Sequence, residues 1–379
     1  MLFDYRAHNE QTAAVWDAFH RGEPIRTPVI CGVSSRWAVL DRRVNHRRAD
    51  FKTYTDDPRL MFEMQAEFDL FRRMHIPGDH MMGPPEEGLC VDVDFENYYE
   101  AAWLGAPVLY PKDNVPFAMP MLSDDERNLL FDRGIPDPFG GTMGLHRDYY
   151  EQFQSFARDY TLEGHKVAQI GCCGEWMDGP MTIACELRGA DNFCIDLIEE
   201  PEYAQQLLRF LTEATIERVR AWRKYLGRPV MAKSFHFADD SAQMLSPKMY
   251  TELMLPHHRR LKEALSTGEE RGGAHLCGDA THLFRIMRDE LNAYTFDTGF
   301  PVDHVALARE LGPEVCVQGG PPSMLIESGT PEQITAESRR ILREVLPLTK
   351  RLVLRDGNDI PPNTPLQNIW ALANAVQPE

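Results

Sequence analysis

An imidazole and a thiol lie two positions apart in the second half of the chain, at His275 and Cys277. They follow Gly272 and Gly273 in a short apolar run that is typical of a buried β-strand. Since side chains at positions i and i+2 of a strand point to the same face, a histidine nitrogen and the cysteine sulfur can converge on one point. Zn²⁺ takes both donor types but needs a third and a fourth donor. The spacing therefore predicts a metal or catalytic site, with a small core cysteine and a carbonyl-bound histidine as the alternative.

The composition is that of a globular protein, and the charge argues against two classes of partner. The 379 residues are 43% hydrophobic and 26% charged, and the formal net charge is −18. Such a charge disfavours binding to nucleic acid and to anionic membranes. No apolar run of about 18 residues predicts a membrane span, and the polar start predicts no signal peptide. The eight cysteines are sparse and irregularly spaced, which indicates reduced thiols and a cytoplasmic protein.

Strand-like and helix-like segments alternate along the chain, which predicts an α/β protein. Eight strands are expected, near residues 29, 79, 167, 230, 273, 294, 315 and 351. Eight strands that alternate with helices predict a single (β/α)₈ TIM barrel over residues 1–379. An open doubly wound sheet is the alternative, and the lack of a GxGxxG turn after the first strand disfavours it.

Local signals place several helix starts and one long insertion. Ser246 and Pro247 open a helix that is expected to run to about residue 266. Thr330 and Thr364 each begin a capping-box pattern with proline at the first helical position. Residues 83–156 are rich in proline, aspartate and glycine, and we expect them to form a partly irregular insertion that covers the barrel mouth as a lid.

In this fold the chemistry lies at the carboxyl ends of the strands, so the residues there are the functional candidates. Glu175 follows the third strand and is predicted to hold a cationic substrate group or a metal. Asp239 and His236 follow the fourth strand. We predict Asp239 as an acceptor for the substrate or an orienting partner for an imidazole, and His236 as a proton donor or acceptor. The alternative is that Asp239 caps the following helix and His236 packs against the barrel wall. The residues predicted to bind substrate at the same rim are Arg36, Trp37, Trp176, Asp297, Gly319, Gly320 and Asn358.

The ordered motifs of the second half resemble those of the uroporphyrinogen decarboxylase superfamily. They are FHFADD at 235–240, LSPKMY at 245–250, LPHH at 255–258, HLCGD at 275–279 and DIPPNTPLQNI at 359–369. The resemblance covers residues 160–379 well and the first half loosely. It implies a barrel of the uroporphyrinogen decarboxylase type, and it is much less specific for the reaction.

The superfamily has a decarboxylase branch and a methyltransferase branch. The decarboxylase branch grips substrate carboxylates with an arginine-rich PxWxMRQAGR segment, which is absent from the corresponding residues 28–37. Arg36, Arg42 and Arg43 remain candidate carboxylate partners. The closer resemblance is to corrinoid-dependent methyltransferases. In that branch Zn²⁺ on the HxC motif activates a thiol acceptor, and a partner protein carries the corrinoid.

The resemblance implies that His275 and Cys277 are zinc ligands and that a third cysteine ligand precedes the closing motif. Asn358 occupies that third position here, and asparagine is a poor zinc ligand. Either another donor replaces the cysteine or high-affinity zinc binding is lost. The carboxylates that we consider as replacements are Glu175, Asp239, Asp356 and Asp359.

We therefore predict a cytoplasmic protein that, as the resemblance implies, is a methyltransferase. It would move a methyl group between a corrinoid on a partner protein and a small acceptor or donor. O-demethylation is one reaction in which such an enzyme could act. Decarboxylation of a tetrapyrrole is the first alternative. A non-catalytic corrinoid- or ligand-binding module with a decayed zinc site is the second. A homodimer is considered as the assembly.

Overall fold

The structure, a computed structural model, describes residues 3–377. Its strands are short and are separated by helices through most of the chain. They are β1 (Val29–Ile30), β2 (Leu89–Val93), β3 (Val108–Leu109), β4 (Phe117–Ala118), β5 (Thr161–Leu162), β6 (His165–Cys172), β7 (His236–Ala238), β8 (Gly272–Leu276), β9 (Ala293–Thr298), β10 (Cys316–Gly319) and β11 (Leu352–Arg355).

The helices cover the outside of the strands. They are α1 (Tyr5–His20), α2 (Arg36–Leu40), α3 (Phe51–Asp56), α4 (Pro58–His75), α5 (Tyr99–Trp103), α6 (Leu129–Arg133), α7 (Gly141–Phe156), α8 (Pro180–Arg188), α9 (Ala190–Glu199), α10 (Pro201–Tyr225), α11 (Pro247–Met249), α12 (Leu255–Leu265), α13 (Thr281–Leu291), α14 (His304–Leu311), α15 (Ser323–Ser328), α16 (Pro331–Val345) and α17 (Leu366–Asn374). No helix within the described range combines the length and the apolar character that a membrane crossing requires.

Eight parallel strands make up the sheet framework, in two groups. Six form one sheet in the order β1-β11-β10-β9-β8-β7, and β2 pairs in parallel with β6. A single parallel bridge between Asp178 and Ala238 links the segment after β6 to β7. The α/β fold with a parallel sheet is thus confirmed. Across residues 3–377 the hydrogen-bonded ladder is interrupted on both sides of the β2–β6 pair, so it does not run continuously around a closed barrel.

The core is one large apolar cluster between the strands and the helices, and Phe19, Cys316 and Val353 form a second, small cluster. Helix α16 illustrates how the sequence builds it. Thr330 and Gln333 form the predicted capping box, and the buried Ile334, Ile341 and Val345 recur at helical spacing. The second predicted capping box is wrong, because the Thr364 hydroxyl donates to the Pro361 carbonyl at 2.7 Å and α17 begins without a side-chain cap.

Two strand positions differ from those expected. The second strand is not near residue 79 but ten residues later, at β2. The carboxylate of Asp79 instead accepts hydrogen bonds from Arg26 at 2.6 Å and from the Val29 amide at 2.7 Å. The fourth strand is not near residue 230 but at β7. Residues 229–235 are mostly bends with one parallel bridge, from Ala232 to Ser266, and Val230 remains 37% exposed.

The helix expected over residues 246–266 is interrupted. It consists of α11, a π-helical turn over Tyr250–Met254, and α12. Pro256 explains the interruption, since proline lacks an N–H group and its ring displaces the carbonyl of the residue four positions earlier. A π-turn accommodates that lost hydrogen bond.

Residues 83–156 contain more regular structure than the composition implied. They include α5, α6 and α7, the antiparallel pair β3–β4, and the framework strand β2. The stretch after β2 lines the cavity described below. A role of the whole segment as a lid stays a prediction.

Candidate active site

A cavity of about 580 Å³ lies at the carboxyl ends of the parallel strands. Segments that follow β1, β2, β6, β7, β8 and β11 all contribute to its wall. Active sites of barrel enzymes lie at this end of the strands, because the loops there are free to vary while the strands hold them in place. The cavity is therefore the candidate active site.

His275 and Cys277 converge in this cavity as their spacing predicts. Nε2 of His275 lies 3.2 Å from Sγ of Cys277. The strand itself ends at Leu276, so Cys277 is the first residue beyond it, and its backbone N–H donates to Oδ1 of Asp240 at 2.8 Å. This hydrogen bond ties the end of β8 to the end of β7.

Asp240 is the third donor of the group, and the sequence analysis did not single it out as a ligand. Its Oδ1 lies 3.8 Å from Nε2 of His275, and one donor atom from each of the three residues lies within 4.8 Å of the others. The β7–β8 register pairs Ala238 with His275, so two residues further on Asp240 and Cys277 face the same side. Nitrogen, sulfur and carboxylate oxygen together are a donor set that suits Zn²⁺.

The second ring nitrogen of His275 is held by Asp297. Nδ1 lies 3.1 Å from Oδ2 of Asp297, and the guanidinium of Arg355 contacts the same oxygen. Burial lowers the pKa of His275, but the hydrogen bonds to Asp297 and Cys277 outweigh it and raise the pKa to about 11. The site thus favours positive charge at this ring, and a metal ion that binds Nε2 would have to displace its proton.

Asp239 points away from the cavity, because neighbouring residues of a strand face opposite sides. It is fully buried and accepts hydrogen bonds at 2.8 Å from the backbone N–H and the hydroxyl of Thr182, in the first turn of α8. Its other oxygen accepts from Nε2 of His258 at 2.8 Å. Asp239 was expected to face the reacting centre, but it binds the buried His258 and caps α8, a helix that precedes it in the chain rather than the one that follows.

His236 and Glu175 lie in a second cavity of about 570 Å³, which shares Trp176, Ala238 and His275 with the first. Nε2 of His236 is 3.1 Å from the Ser234 hydroxyl. Glu175 forms ion pairs with Arg223, at 3.5 Å, and with Arg228. The structure thus does not bring these two residues into the three-donor group, and their catalytic roles stay predictions.

The other carboxylates considered as zinc ligands also lie outside the group. Asp356 is fully buried, accepts a hydrogen bond from the Gly32 amide at 2.6 Å, and has its pKa raised to about 8 by burial. Asp359 lines the first cavity, as does Asn358 at the position of the missing cysteine. Among the histidines, cysteines and carboxylates of residues 3–377, only Asp240, His275 and Cys277 form a converging group of three.

Some of the predicted substrate-binding residues line the first cavity, and others lie elsewhere. Arg36 and Trp176 line the cavity, and Trp176 is 58% exposed. Trp37 is fully buried, and its indole N–H donates to the Ile360 carbonyl at 2.9 Å, so it has no free surface for a substrate. Gly319 packs against Thr298 and His304, and Gly320 lines a separate cavity of about 310 Å³.

The comparisons with known proteins agree with this architecture. The model of the uroporphyrinogen decarboxylase (URO-D) family matches residues 98–378, which is most of the chain. The chain belongs to the uroporphyrinogen decarboxylase family. The three-donor group lies within the matched residues, whereas Arg36 lies before them, in the half where the motifs are loose.

Methyltransferases are among the proteins similar to this uroporphyrinogen decarboxylase family member. A methylated-thiol–coenzyme M methyltransferase of Methanosarcina mazei is 27% identical over 205 residues, which are 53% of this chain and 52% of that protein. The match thus spans about half the length of the curated relative.

One solved structure shows the same fold, and a second is more distant. A methyltransferase from Methanosarcina mazei has a TM-score of 0.63 and 18% identity, with 96% of this chain and 97% of that chain covered. A B12-independent methionine synthase from Shewanella sp. W3-18-1 has a TM-score of 0.43 and 11% identity, with 93% and 98% covered. The likeness to the Methanosarcina mazei structure identifies the architecture as a TIM barrel of the uroporphyrinogen decarboxylase type.

Proposed function

We propose that this protein is a methyltransferase that moves a methyl group between a corrinoid on a partner protein and a small methyl donor or acceptor. The observation that carries the proposal is the convergence of His275, Cys277 and Asp240 in the cavity. The curated relative named as a methyltransferase supports the choice of reaction.

We propose that the same three residues hold Zn²⁺, with Asp240 in place of the cysteine that Asn358 replaces. Bound there, Zn²⁺ would lower the pKa of a substrate thiol, so that the reactive thiolate forms at neutral pH. Three protein ligands leave the fourth position for the substrate, which is the usual arrangement in catalytic zinc sites.

The chain's own groups would position the reacting atoms. Asp297 orients the His275 ring so that Nε2 faces Cys277, and the Cys277 amide fixes the Asp240 carboxylate. Such outer hydrogen bonds set the direction of the donor atoms. Since methyl transfer needs no proton, alignment of donor and acceptor is the main contribution that these residues make.

Tetrapyrrole decarboxylation has less support, because the cavity offers no free cation for substrate carboxylates. Arg36 pairs with Glu96 at 2.8 Å, Arg72 pairs with Asp69 at 2.8 Å, and Arg355 pairs with Asp297. These are the arginines that line the cavity within residues 3–377. A non-catalytic module with a decayed zinc site also loses support, since Asp240 supplies a third donor.

Zinc content after dialysis tests the metal site. The wild-type protein should retain about one zinc ion per chain, and Cys277→Ala and Asp240→Ala should each lose most of it. Asp359→Ala is the matched control, because Asp359 lines the same cavity outside the donor group. Full zinc retention in a His275→Ala, Cys277→Ala double variant would remove these residues from the role.

A turnover assay tests the reaction. Methyl transfer between methylcobalamin and a small thiol changes the corrinoid absorbance, and Cys277→Ala should lower its rate by about 100-fold or more. Release of carbon dioxide from a tetrapyrrole carboxylate by the wild-type protein, without any methyl transfer, would contradict the proposal.

A further inference from the structure

The cavity beside the three-donor group has an unbalanced charge. Seven carboxylates and three guanidinium groups line it, and each guanidinium pairs with a carboxylate of the protein. The cavity carboxylates without such a partner are Asp92, Asp94, Asp178, Asp240 and Asp359. No lysine or arginine within residues 3–377 approaches these five to 4.0 Å. Carboxyl groups thus outnumber the basic side chains of the cavity, three arginines and His275, and a bound cation would favour their charged forms.

Glu96 adds a separate observation in the same wall. Its side chain is only 4% exposed, and Oε2 binds Arg36 while Oε1 has no hydrogen-bond partner among the described residues. A buried carboxylate oxygen without a partner is costly, so such an atom commonly marks the place of a missing ligand.

The carboxylates also raise one another's pKa values. Burial and then the carboxylates of Glu100 and Asp240 raise the pKa of Asp178 to about 8. Burial and then Asp94 raise the pKa of Glu96 to about 7, although Arg36 opposes them. A cation in the cavity would remove this mutual repulsion.

Aromatic side chains line the cavity together with these carboxylates. Phe95 and Tyr99 form part of its buried wall, and Trp176 lies at its more exposed side. Aromatic rings and carboxylates together select an onium group, which carries a positive charge but has no N–H with which to donate. A primary ammonium would instead require directed hydrogen-bond acceptors.

We infer that the methyl donor of this enzyme carries a methylated onium group, ammonium or sulfonium, which binds between the unpaired carboxylates and the aromatic wall. The inference rests on the proposed methyl transfer and specifies its substrate class. The acceptor, the reduced corrinoid of the partner protein, supplies the electron pair of the new bond to the methyl carbon. The pair of the broken C–N or C–S bond returns to nitrogen or sulfur, which leaves as a neutral amine or thioether.

The charge change has a kinetic consequence. The carboxylates attract the cationic donor but not the neutral product, so they favour substrate binding and product release. Because the positive charge is already dispersing in the transition state, they contribute to binding rather than to the chemical step. Loss of one carboxylate should therefore raise KM with little change in kcat.

Calorimetric titration with a matched pair of probes tests the inference. Choline and 3,3-dimethylbutan-1-ol have the same shape, but only choline has a positive charge, and tetramethylammonium serves as a smaller cation. The wild-type protein should bind choline about tenfold more tightly than the neutral isostere, or more. Asp178→Asn and Asp94→Asn should reduce this preference, whereas Asp159→Asn, at an exposed carboxylate away from the cavity, should not.

The outcomes separate this inference from the proposed function. Equal binding of choline and its isostere, or no binding of either cation, would overturn the onium inference. Zinc content and thiol methylation, measured on the same preparation, report on the proposed function independently. Thermal melting confirms that the variants fold, and Asp→Asn changes that remove repulsion should not lower the melting temperature.

Discussion

The Nδ1 atom of His275 lies 3.1 Å from Oδ2 of Asp297, and the register of β8 and β9 places the two residues opposite each other. Arg355, from β11, contacts the same carboxylate oxygen. Side chains from three strands of the same sheet thus set the orientation of one imidazole. Its Nε2 is left facing Cys277 and Asp240, so the ring presents a donor atom to any cation held there.

Replacement of Asp297 by alanine should weaken zinc binding without removing a ligand. We expect a loss of affinity of about 10- to 100-fold, because the His275 ring loses the partner that orients it. Competition with a chromophoric chelator measures the affinity. Asp359→Ala serves as the control, and unchanged affinity in Asp297→Ala would show that the ring is held by other contacts.

The neighbours Asp239 and Asp240 should have opposite effects when each is changed to alanine. Asp239→Ala should lower the free energy of unfolding by about 3 kcal/mol or more, because it removes the buried partner of His258 and of the first turn of α8. Asp240→Ala should leave stability almost unchanged and lower zinc content. Denaturant unfolding and elemental analysis of both variants test the contrast, and a reversed pattern would disprove the assigned faces.

The contribution of Asp178 to the stability of the metal-free protein should fall as the pH rises from about 4 to about 8. The pKa of Asp178 rises from 3.8 to about 8 because burial and nearby carboxylates disfavour its charged form. The folded state therefore binds more protons than the unfolded state between these values, and stability falls with increasing pH. Asp178→Asn should flatten this slope and raise stability at pH 8 by on the order of 2 kcal/mol.

Urea unfolding at several pH values measures this dependence. The Asp159→Asn variant should keep the slope of the wild-type protein, since its carboxylate is exposed. Equal slopes in the wild-type protein and in Asp178→Asn would show that Asp178 does not titrate in this range.

Replacement of Trp176 by leucine should affect ligand binding more than folding. The side chain is 58% exposed and lines both cavities, so its removal costs little core packing. We expect choline affinity to fall by roughly fivefold or more as the ring face is lost. Met324→Ala, at a residue that is 75% exposed, is the control, and equal choline affinity in both variants would exclude Trp176 from the binding wall.

Local geometry made several features predictable from the amino-acid sequence. The convergence of His275 and Cys277 follows from the two-residue repeat of an extended chain, and the structure confirms it at 3.2 Å. The capping box at Thr330 depends on four consecutive residues and is also confirmed. The same alternation places Asp240, and not Asp239, on the face of Ala238, a signal that was present in the chain but was not used.

The positions of Asp92, Asp94 and Glu96 were decided by tertiary structure. Asp92 lies in β2, and Asp94 and Glu96 follow it. The sequence analysis placed this strand ten residues too early, so all three fell within the expected insertion instead of at the cavity. Helix α4 continues to His75 because its apolar face packs in the core, and β2 then forms where it can pair with β6. Strand boundaries depend on such partners, which lie far away in the chain.

By itself the amino-acid sequence determined the alternation of strands and helices, the HxC spacing and the absence of the expected third cysteine at Asn358. Only the tertiary structure decided that Asp240 completes the donor group, that Asp297 orients His275, and that the cavity arginines are all engaged. The physical reason is the distance along the chain between the residues that determine each feature. Spacing within a strand is set by bonds between adjacent residues, whereas the register between strands is set by hydrogen bonds and burial across the whole sheet.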